Sequence, residues 1–401
     1  MENVNGHSNY PSDEKKQGFF QRNAKTIKAA TIGFLTLLLL IPMAMIEELI
    51  WSRNRTQEEA VTEVSQKWSD KQTITGPYLN FDYVTTHESI ADGKVSKSIE
   101  TQNLTLLPDE LIVDATLTTE IRKRGIYEVN VYQSDLTLKG KFTPEELKKK
   151  GIDIENVRFE NATICLGITD MKGIGEQIQV VLGDSVYNFE PGVNGKSLGS
   201  AGVSKIIDIP ELANEAIPYE IKLKLKGSNA IHFVPIGKNT QVSLQADWGT
   251  PSFTGDYLPE HSITEGQFTA KWQVLNLNRS YSQTFINFTG SKDVQDSSFG
   301  VNLRLPVEQY QQSTRTAKYG ILIILLTFIV VFFVEILDNK RIHALQYLLI
   351  GLALCLFYSL LLSLSEHMSF SLAYIISSAL TVGLISLYMR GIMKKKRPAL
   401  I

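Results

Sequence analysis

The sequence predicts a membrane protein of mixed α and β structure, with four transmembrane helices and a large, mostly β, sandwich-like extracytoplasmic domain between the first and second helices. Two observations lead to this fold class. Apolar residues are concentrated in four runs near the two ends of the chain, and each run has the ~20 residues that a helix needs to cross a bilayer. The sequence between the first two runs is polar and alternates with a period of two, as half-buried strands do.

The four predicted transmembrane helices cover residues 29–46, 319–337, 344–365 and 368–389. The first run could also be read as a secretory signal peptide. Its apolar core, however, is longer than the ~7–15 residues of such peptides, and "IEELIW" after it lacks the small-x-small cleavage pattern. We therefore interpret the first run as an uncleaved anchor.

Basic residues predict the orientation of these helices, because cytoplasmic flanks carry an excess of Lys and Arg. The N-terminal tail 1–28 and the C-terminal tail 390–401 are basic, and the loop "DNKRIH" (338–343) carries Lys340 and Arg341. These segments fall on one side of the membrane, so we expect both tails to be cytoplasmic. The domain 51–315 is then outside the cytoplasm.

Within the outer domain, short patterns predict individual elements. The segment 53–69 resembles a short helix leaving the membrane, and "TPEELKKKG" (143–151) is typical of one or two helical turns. Alternation of apolar and polar residues predicts strands in "IKLKLKG" (221–227), "VSLQADW" (242–248) and 128–142. The order of the strands does not follow from these patterns.

The composition argues against several kinds of activity. The net charge of −2 does not suit a nucleic-acid-binding protein, and the two cysteines, Cys165 and Cys355, provide no disulfide framework. No two histidines have a metal-binding spacing, and no GxSxG or Walker A pattern is present. "GIG" (173–175) lacks the rest of a dinucleotide fingerprint and is interpreted as a turn. We expect no enzymatic activity, catalytic residue, cofactor or metal site.

One segment is a candidate recognition loop. "DWGTPSFTGDYLPE" (247–260) is rich in aromatic residues, Gly and Pro, and Trp248, Phe253 and Tyr257 would present apolar faces to a ligand. Alternatively, these rings close one end of the β core, which is the interpretation that we favour.

Charged residues next to the predicted helices form a second candidate group. Glu366 and His367 follow a long uncharged run and are expected at the outer membrane interface, where such residues usually mark a boundary. Arg315 and Lys318 precede the second helix on the same side, so we predict an interfacial pair between Glu366 and one of them. This pair would tie the exit strand of the outer domain to the helical hairpin. Glu335, in the last turn of the second helix, is expected to reach cytoplasmic water.

Several long segments, in a fixed order along the chain, carry a resemblance to a known family: 37–46, 122–136, 170–175, 234–244, 247–259, 308–337 and 343–367. Through them the chain resembles, from its first span to about residue 391, the CreD family of bacterial inner-membrane proteins. The resemblance implies an integral inner-membrane protein with a periplasmic domain, associated with cell envelope integrity and the stress response; it implies no catalytic residue or cofactor. Family members usually continue into further spans, so either this is a shortened member or those helices are dispensable.

Three classes of function follow from these observations. The leading hypothesis is a non-enzymatic protein that supports envelope integrity through contacts with membrane lipids and an envelope or membrane protein partner. The alternative is a ligand-binding or sensor module that signals through a partner membrane protein. A transporter or membrane enzyme is disfavoured, because the predicted helices carry no charge near the membrane midplane.

Overall fold

The computed structural model describes residues 24–91, 94–193, 198–199, 201–288, 290–303, 308–337 and 342–394. The chain divides into two compact units, one made of Met1–Thr56 with Val307–Ile401 and the other of Gln57–Pro306. Most basic residues that predict the orientation, including Lys340 and Arg341, lie outside the described residues.

Four helical stretches of the described chain are long and apolar enough to span a membrane, namely Thr26–Trp68, Gly320–Leu337, Ala344–Ser365 and Phe370–Gly391. Together with the β-rich unit between the first and second of them, they confirm the predicted fold class. The α-helices of the described residues are α1 (Ala24–Leu38), α2 (Leu40–Trp68), α3 (Glu145–Lys149), α4 (Ser291–Asp296), α5 (Glu308–Lys318), α6 (Gly320–Leu337), α7 (Ala344–Ser365) and α8 (Phe370–Lys394).

The segments that flank the outer domain differ from their predicted structures. The predicted short helix at 53–69 is the second half of α2, a single helix of 29 residues. Only Leu39 separates α1 from α2, close to Pro42, which lacks the N–H group that the helical ladder requires. The predicted exit strand is helix α5, in which Tyr310, Ser313 and Ala317 are buried at the i, i+3, i+7 spacing of one helical face.

The outer domain contains two β-sheets. The strands of the described residues are β1 (Gln72–Ala91), β2 (Lys94–Leu106), β3 (Glu110–Arg124), β4 (Tyr127–Phe142), β5 (Val157–Ile168), β6 (Gln179–Leu182), β7 (Ser185–Asn188), β8 (Glu190–Pro191), β9 (Gly202–Ile207), β10 (Ile217–Ser228), β11 (Ala230–Phe233), β12 (Asn239–Ala246), β13 (Ser252–Gly255), β14 (Glu260–Thr264), β15 (Gln267–Leu275), β16 (Thr284–Ile286) and β17 (Phe299–Asn302). The nine-stranded sheet has the order β13-β17-β11-β1-β5-β9-β8, with β2 paired to β1 and β16. The eight-stranded sheet has the order β14-β15-β12-β3-β4-β10-β6-β7.

The two sheets share one apolar core. In β10, the apolar residues Ile221, Leu223 and Leu225 are buried, whereas the lysines between them are exposed, because successive side chains of a strand point to opposite faces. The strands predicted at 128–142, 221–227 and 242–248 and the helical turns at 143–151 are thus confirmed as β4, β10, β12 and α3.

Candidate functional site

Glu366 is tied to two helices of the membrane unit. Its Oε1 accepts a hydrogen bond from the Tyr310 hydroxyl of α5 at 3.2 Å and lies 3.7 Å from Arg53 Nε of α2. The Glu366 side chain is only 12 % exposed, whereas that of Arg53 is 48 % exposed. Glu366 therefore links the residues that precede the second span to the helical hairpin, through a tyrosine.

The cation of this pair differs from the prediction. Among the described residues, Arg53 forms the ion pair with Glu366, whereas Arg315 and Lys318 are exposed and form no salt bridge with it. The reason is the helical structure of α5, whose buried face carries Tyr310 and leaves both cations outside that face. His367 is also exposed, and its backbone N–H donates to Leu364 O at 3.0 Å.

A second charged cluster joins three helical segments of the membrane unit. The Glu335 carboxylate pairs with the Lys28 ammonium group, and its other oxygen accepts a hydrogen bond from the Tyr347 hydroxyl at 2.9 Å. Lys28 Nζ also donates to Ile342 O at 2.7 Å, and the Ile342 N–H donates to Glu335 Oε1 at 3.2 Å. The expectation that Glu335 reaches cytoplasmic water is therefore wrong, since its side chain is 9 % exposed and its oxygens have partners.

The aromatic rings of the candidate recognition loop pack against the β core. Trp248 is buried and donates from Nε1 to Thr250 O at 3.1 Å. Phe253 meets Trp272 edge to face, with ring centroids 5.9 Å apart. Tyr257, half-buried, donates its hydroxyl to Asn278 O at 2.8 Å. These contacts agree with the packing interpretation, and recognition by this loop stays a prediction.

The junction between α2 and β1 depends on Asp170. Its carboxylate accepts hydrogen bonds from the Asp70 N–H at 2.9 Å, the Ser69 hydroxyl at 3.2 Å and the Lys172 N–H at 3.0 Å. Burial acts to raise the pKa of the Asp170 carboxyl, but these three donors outweigh it and hold the pKa below its ordinary value. A single carboxylate thus fixes the end of the helix to the start of the sheet.

The same junction explains the "GIG" sequence. The Gln72 amide Nε2 donates to Ser69 Oγ at 2.8 Å, to Asp170 O at 2.9 Å and to Lys226 O at 3.0 Å. Gly173 lies against this amide, and a Cβ atom there would come within 2.3 Å of Lys226 O and 2.5 Å of Gln72 Nε2. The 3₁₀ helix Met171–Gly173 contains only the first residue of "GIG", and Ile174 forms an isolated antiparallel β-bridge with Leu225. The predicted turn is therefore present only at the start of this segment.

The last residue of α2, Trp68, anchors the helix to the eight-stranded sheet. Its ring contacts two cations, with Arg122 Cζ at 3.8 Å and Lys226 Nζ at 4.9 Å from the ring centroid. Its indole N–H donates to Tyr132 O at 3.4 Å. Exposed cation–π contacts contribute ~0.5–1 kcal/mol each, so this anchor adds to the hydrogen bonds of the junction.

A polar cavity of about 530 Å³ lies beside this anchored helix, entirely within the outer unit. Its lining includes Val61, Thr62 and Ser65 of α2, together with His232 of β11 and Thr254 of β13. The volume falls within the ~300–1,000 Å³ of small-molecule sites. The segment predicted as a recognition loop therefore contributes to a cavity, through Thr254 rather than through its aromatic rings.

Polar side chains of this cavity are held in place by hydrogen bonds. Ser65 Oγ lies 2.8 Å from Ser228 Oγ and accepts from Asn229 Nδ2 at 3.1 Å. His232 Nε2 lies 3.0 Å from Thr254 Oγ1. The pKa of His232 is lowered from its ordinary value, mainly by burial and to a smaller extent by the nearby Lys71 ammonium group. The imidazole is therefore neutral at pH 7.

Other groups that often perform chemistry are placed differently. In the ranges that the structure describes, no cluster of three or more His, Cys, Asp or Glu side chains could hold a metal ion. Burial raises the pKa of the Cys165 thiol to about 12, against the opposing effect of hydrogen bonds with Tyr78 and Asn80. At neutral pH this thiol is therefore not a thiolate nucleophile.

The sequence contains an indication of the Glu335 partner but not of the polar cavity. In the sequence, Lys28 counts only as part of a basic flank, although its position immediately before the apolar run 29–46 allows a contact inside the bundle. The cavity residues come from α2, β11, β13 and the ends of neighbouring elements, and no short spacing relates them.

Comparison with known proteins agrees with this architecture. The family model described as "Inner membrane protein CreD" matches residues 24–401. The chain is 32 % identical over 362 residues to the inner membrane protein CreD of Escherichia coli (strain K12), and the match covers 89 % of this chain and 79 % of that protein. The membrane-spanning helices and the β-rich outer unit thus belong to a multi-pass inner-membrane protein of the CreD family.

Proposed function

We propose that this protein supports the integrity of the cell envelope, without enzymatic activity, through a periplasmic β domain that is connected to the inner membrane at both ends. Membership of the CreD family is the observation that carries the proposal. The connection supports it further, since α2 leads into the domain and α5 follows it. We expect the domain to contact another envelope component, and the membrane unit to contact lipids.

Deletion of the gene in its host, followed by complementation, tests this proposal. The readouts are survival in detergent and leakage of a periplasmic enzyme. We expect the full chain to restore both, and a variant with residues 57–306 replaced by a flexible linker to restore neither at equal membrane abundance. Full rescue by the linker variant would show that the helices suffice and would contradict the proposed role of the domain.

The periplasmic location has its own test in a background that lacks Cys165 and Cys355, whose thiols are buried. Leu277 is 87 % exposed in the outer unit, so Leu277→Cys should react with a membrane-impermeant thiol reagent in cells with a permeabilised outer membrane. Asn339→Cys, in the predicted cytoplasmic loop, should react only after the inner membrane is opened. The reverse pattern would invert the topology.

The polar cavity favours a second candidate function, ligand sensing. Three residues of its wall belong to α2, the helix that begins at Leu40 in the first span. A molecule bound between this helix and the sheet would alter the forces on the helix, and a partner membrane protein would transmit the signal. If a cavity variant with normal abundance lost an envelope stress response but kept detergent resistance, the two functions would be separated.

A further inference from the structure

The charged groups of the polar cavity indicate what it would bind. Its lining residues include the exposed side chains of Asp70, Asp296 and Lys71. Asp70 Oδ1 accepts the backbone N–H of Lys71 at 2.7 Å. Within the described part of the chain, none of these three side chains forms a salt bridge. All three can therefore pair with charges on a ligand.

The remaining lining restricts the chemistry further. The rest of the described lining consists of hydroxyls, amides, the neutral His232 imidazole and small apolar groups, without a Phe, Tyr, Trp or Arg side chain. Sugars and nucleobases usually bind against aromatic faces, and phosphates favour arginine forks. Two carboxylates, one ammonium group and a neutral imidazole give a net charge of −1 at pH 7, which favours a ligand with an ammonium group.

The cavity is also held open by its own framework. Ser65 is buried and bonded to Ser228 and Asn229, and Asn229 has a left-handed backbone with φ of 62°. This conformation is uncommon for residues other than glycine. It occurs where β10 ends and β11 begins, and Asn229 lines the cavity. These hydrogen bonds fix α2 against the junction of β10 and β11 on one side of the cavity.

We propose that this cavity binds a small zwitterion with a free ammonium group, of the size of an amino acid or a dipeptide. Asp70 and Asp296 receive the ammonium group, Lys71 receives the carboxylate, and the hydroxyl and amide groups of the wall bind the polar backbone between them. This inference rests on the second candidate function and specifies its ligand class. A bound zwitterion would contact Thr62 and Ser65 and so reach α2 directly.

The test is calorimetric titration of the full chain in detergent with alanyl-alanine, and with two probes that each lack one charge. N-acetyl-alanyl-alanine has no ammonium group, and alanyl-alanine amide has no carboxylate. We expect alanyl-alanine to bind, the amide to bind about tenfold more weakly and the acetylated probe more weakly still, because each loses a charge-assisted hydrogen bond. Asp296→Asn should weaken binding about tenfold or more.

Asp293→Asn is the matched control, since Asp293 is an exposed carboxylate of the same helix α4 and does not line the cavity. Absence of binding by alanyl-alanine, equal binding of the acetylated probe, or equal losses in Asp293→Asn and Asp296→Asn would each overturn the proposal. Binding is measured without cells, so it is independent of the envelope assays. If the chain binds the zwitterion but its cavity variants leave the stress response intact, the result would support the binding site and contradict the sensing function.

Discussion

Replacement of Gly173 by alanine tests the account of the junction between α2 and β1. The new methyl group would lie 2.3 Å from Lys226 O, 2.5 Å from Gln72 Nε2 and 2.9 Å from Ser69 Oγ. The first is a backbone atom and the other two belong to fully buried side chains, so none of them can simply rotate away. Gly173→Ala must therefore displace the Gln72 amide, together with its three hydrogen bonds.

The expected cost follows from these contacts. Overpacking of a buried site costs about 1–3 kcal/mol, and each hydrogen bond contributes about 0.5–1.5 kcal/mol. Movement of the Gln72 amide would relieve part of the clash but would break hydrogen bonds. We therefore expect the free energy of unfolding to decrease by about 3–5 kcal/mol in total. For a domain of this size, that corresponds to a decrease in Tm of roughly 6–20 °C.

The assay is thermal unfolding of the full chain in detergent, followed by tryptophan fluorescence, because Trp68 lies at the junction. Gly175→Ala is a matched control two residues away, since a Cβ atom there would meet Lys224 O at an ordinary 3.4 Å. We expect this control to change Tm by less than ~2 °C. Equal Tm values for the two variants would refute the packing argument.

Three further predictions concern the charged sites. The pKa of the Asp170 carboxyl is lowered in the folded protein, so its contribution to stability is present above the unfolded-state pKa and is lost as the pH falls through the folded-state pKa. Asp170→Asn should therefore lower the Tm at pH 7, and the difference from the wild type should shrink in acid below pH ~4; a difference independent of pH would contradict this. Glu335→Ala should destabilise the membrane unit by about 3–5 kcal/mol, because it leaves Lys28 unpaired. The measurement is the loss of the monodisperse species on heating. Addition of Lys28→Met to this variant should recover part of the lost stability, and a further loss would contradict the pairing. Tyr310→Phe should cost about 1–2 kcal/mol in the same assay, because Glu366 loses a hydrogen bond in a half-buried site; the exposed Tyr319→Phe should be neutral, and equal effects would show that the hydroxyl of Tyr310 does not matter.

The repeating spacing of apolar residues in the sequence predicts the membrane-spanning helices and the half-buried strands. The four apolar runs and the alternating strands were identified because the position of each side chain relative to lipid or core repeats at a fixed interval. The pairing of β1 with β11 and of β3 with β12 is parallel and connects distant segments. Such pairings depend on packing between segments that are distant in the chain, and the spacing of residues within one segment does not indicate its partner strand.

The candidate sites were harder to predict for the same reason. Arg315 and Lys318 directly precede the second span, as predicted, but the direction of their side chains depends on the helical phase of α5, in a segment predicted as the exit strand. Glu335 was placed correctly in the last turn of its helix, yet its partners Lys28 and Tyr347 belong to two other helices. The position of these residues within their elements can thus be predicted from the sequence, but the residues that they contact in other elements cannot.

The distance along the chain between Lys28 and Glu335, 307 residues, has a consequence for biosynthesis. At ~5–20 residues per second, the ribosome needs on the order of 15–60 s to reach Glu335 after it has made Lys28. During that time the first helix resides in the membrane with an uncompensated ammonium group near its end, while the β domain crosses to the other side. We infer that closure of this ion pair is a late step of assembly, reached only by chains whose outer domain has already been exported. A stalled chain that ends before Glu335 should leave a cysteine at position 28 reactive from the cytoplasm, and protection of that cysteine in the stalled chain would contradict this order.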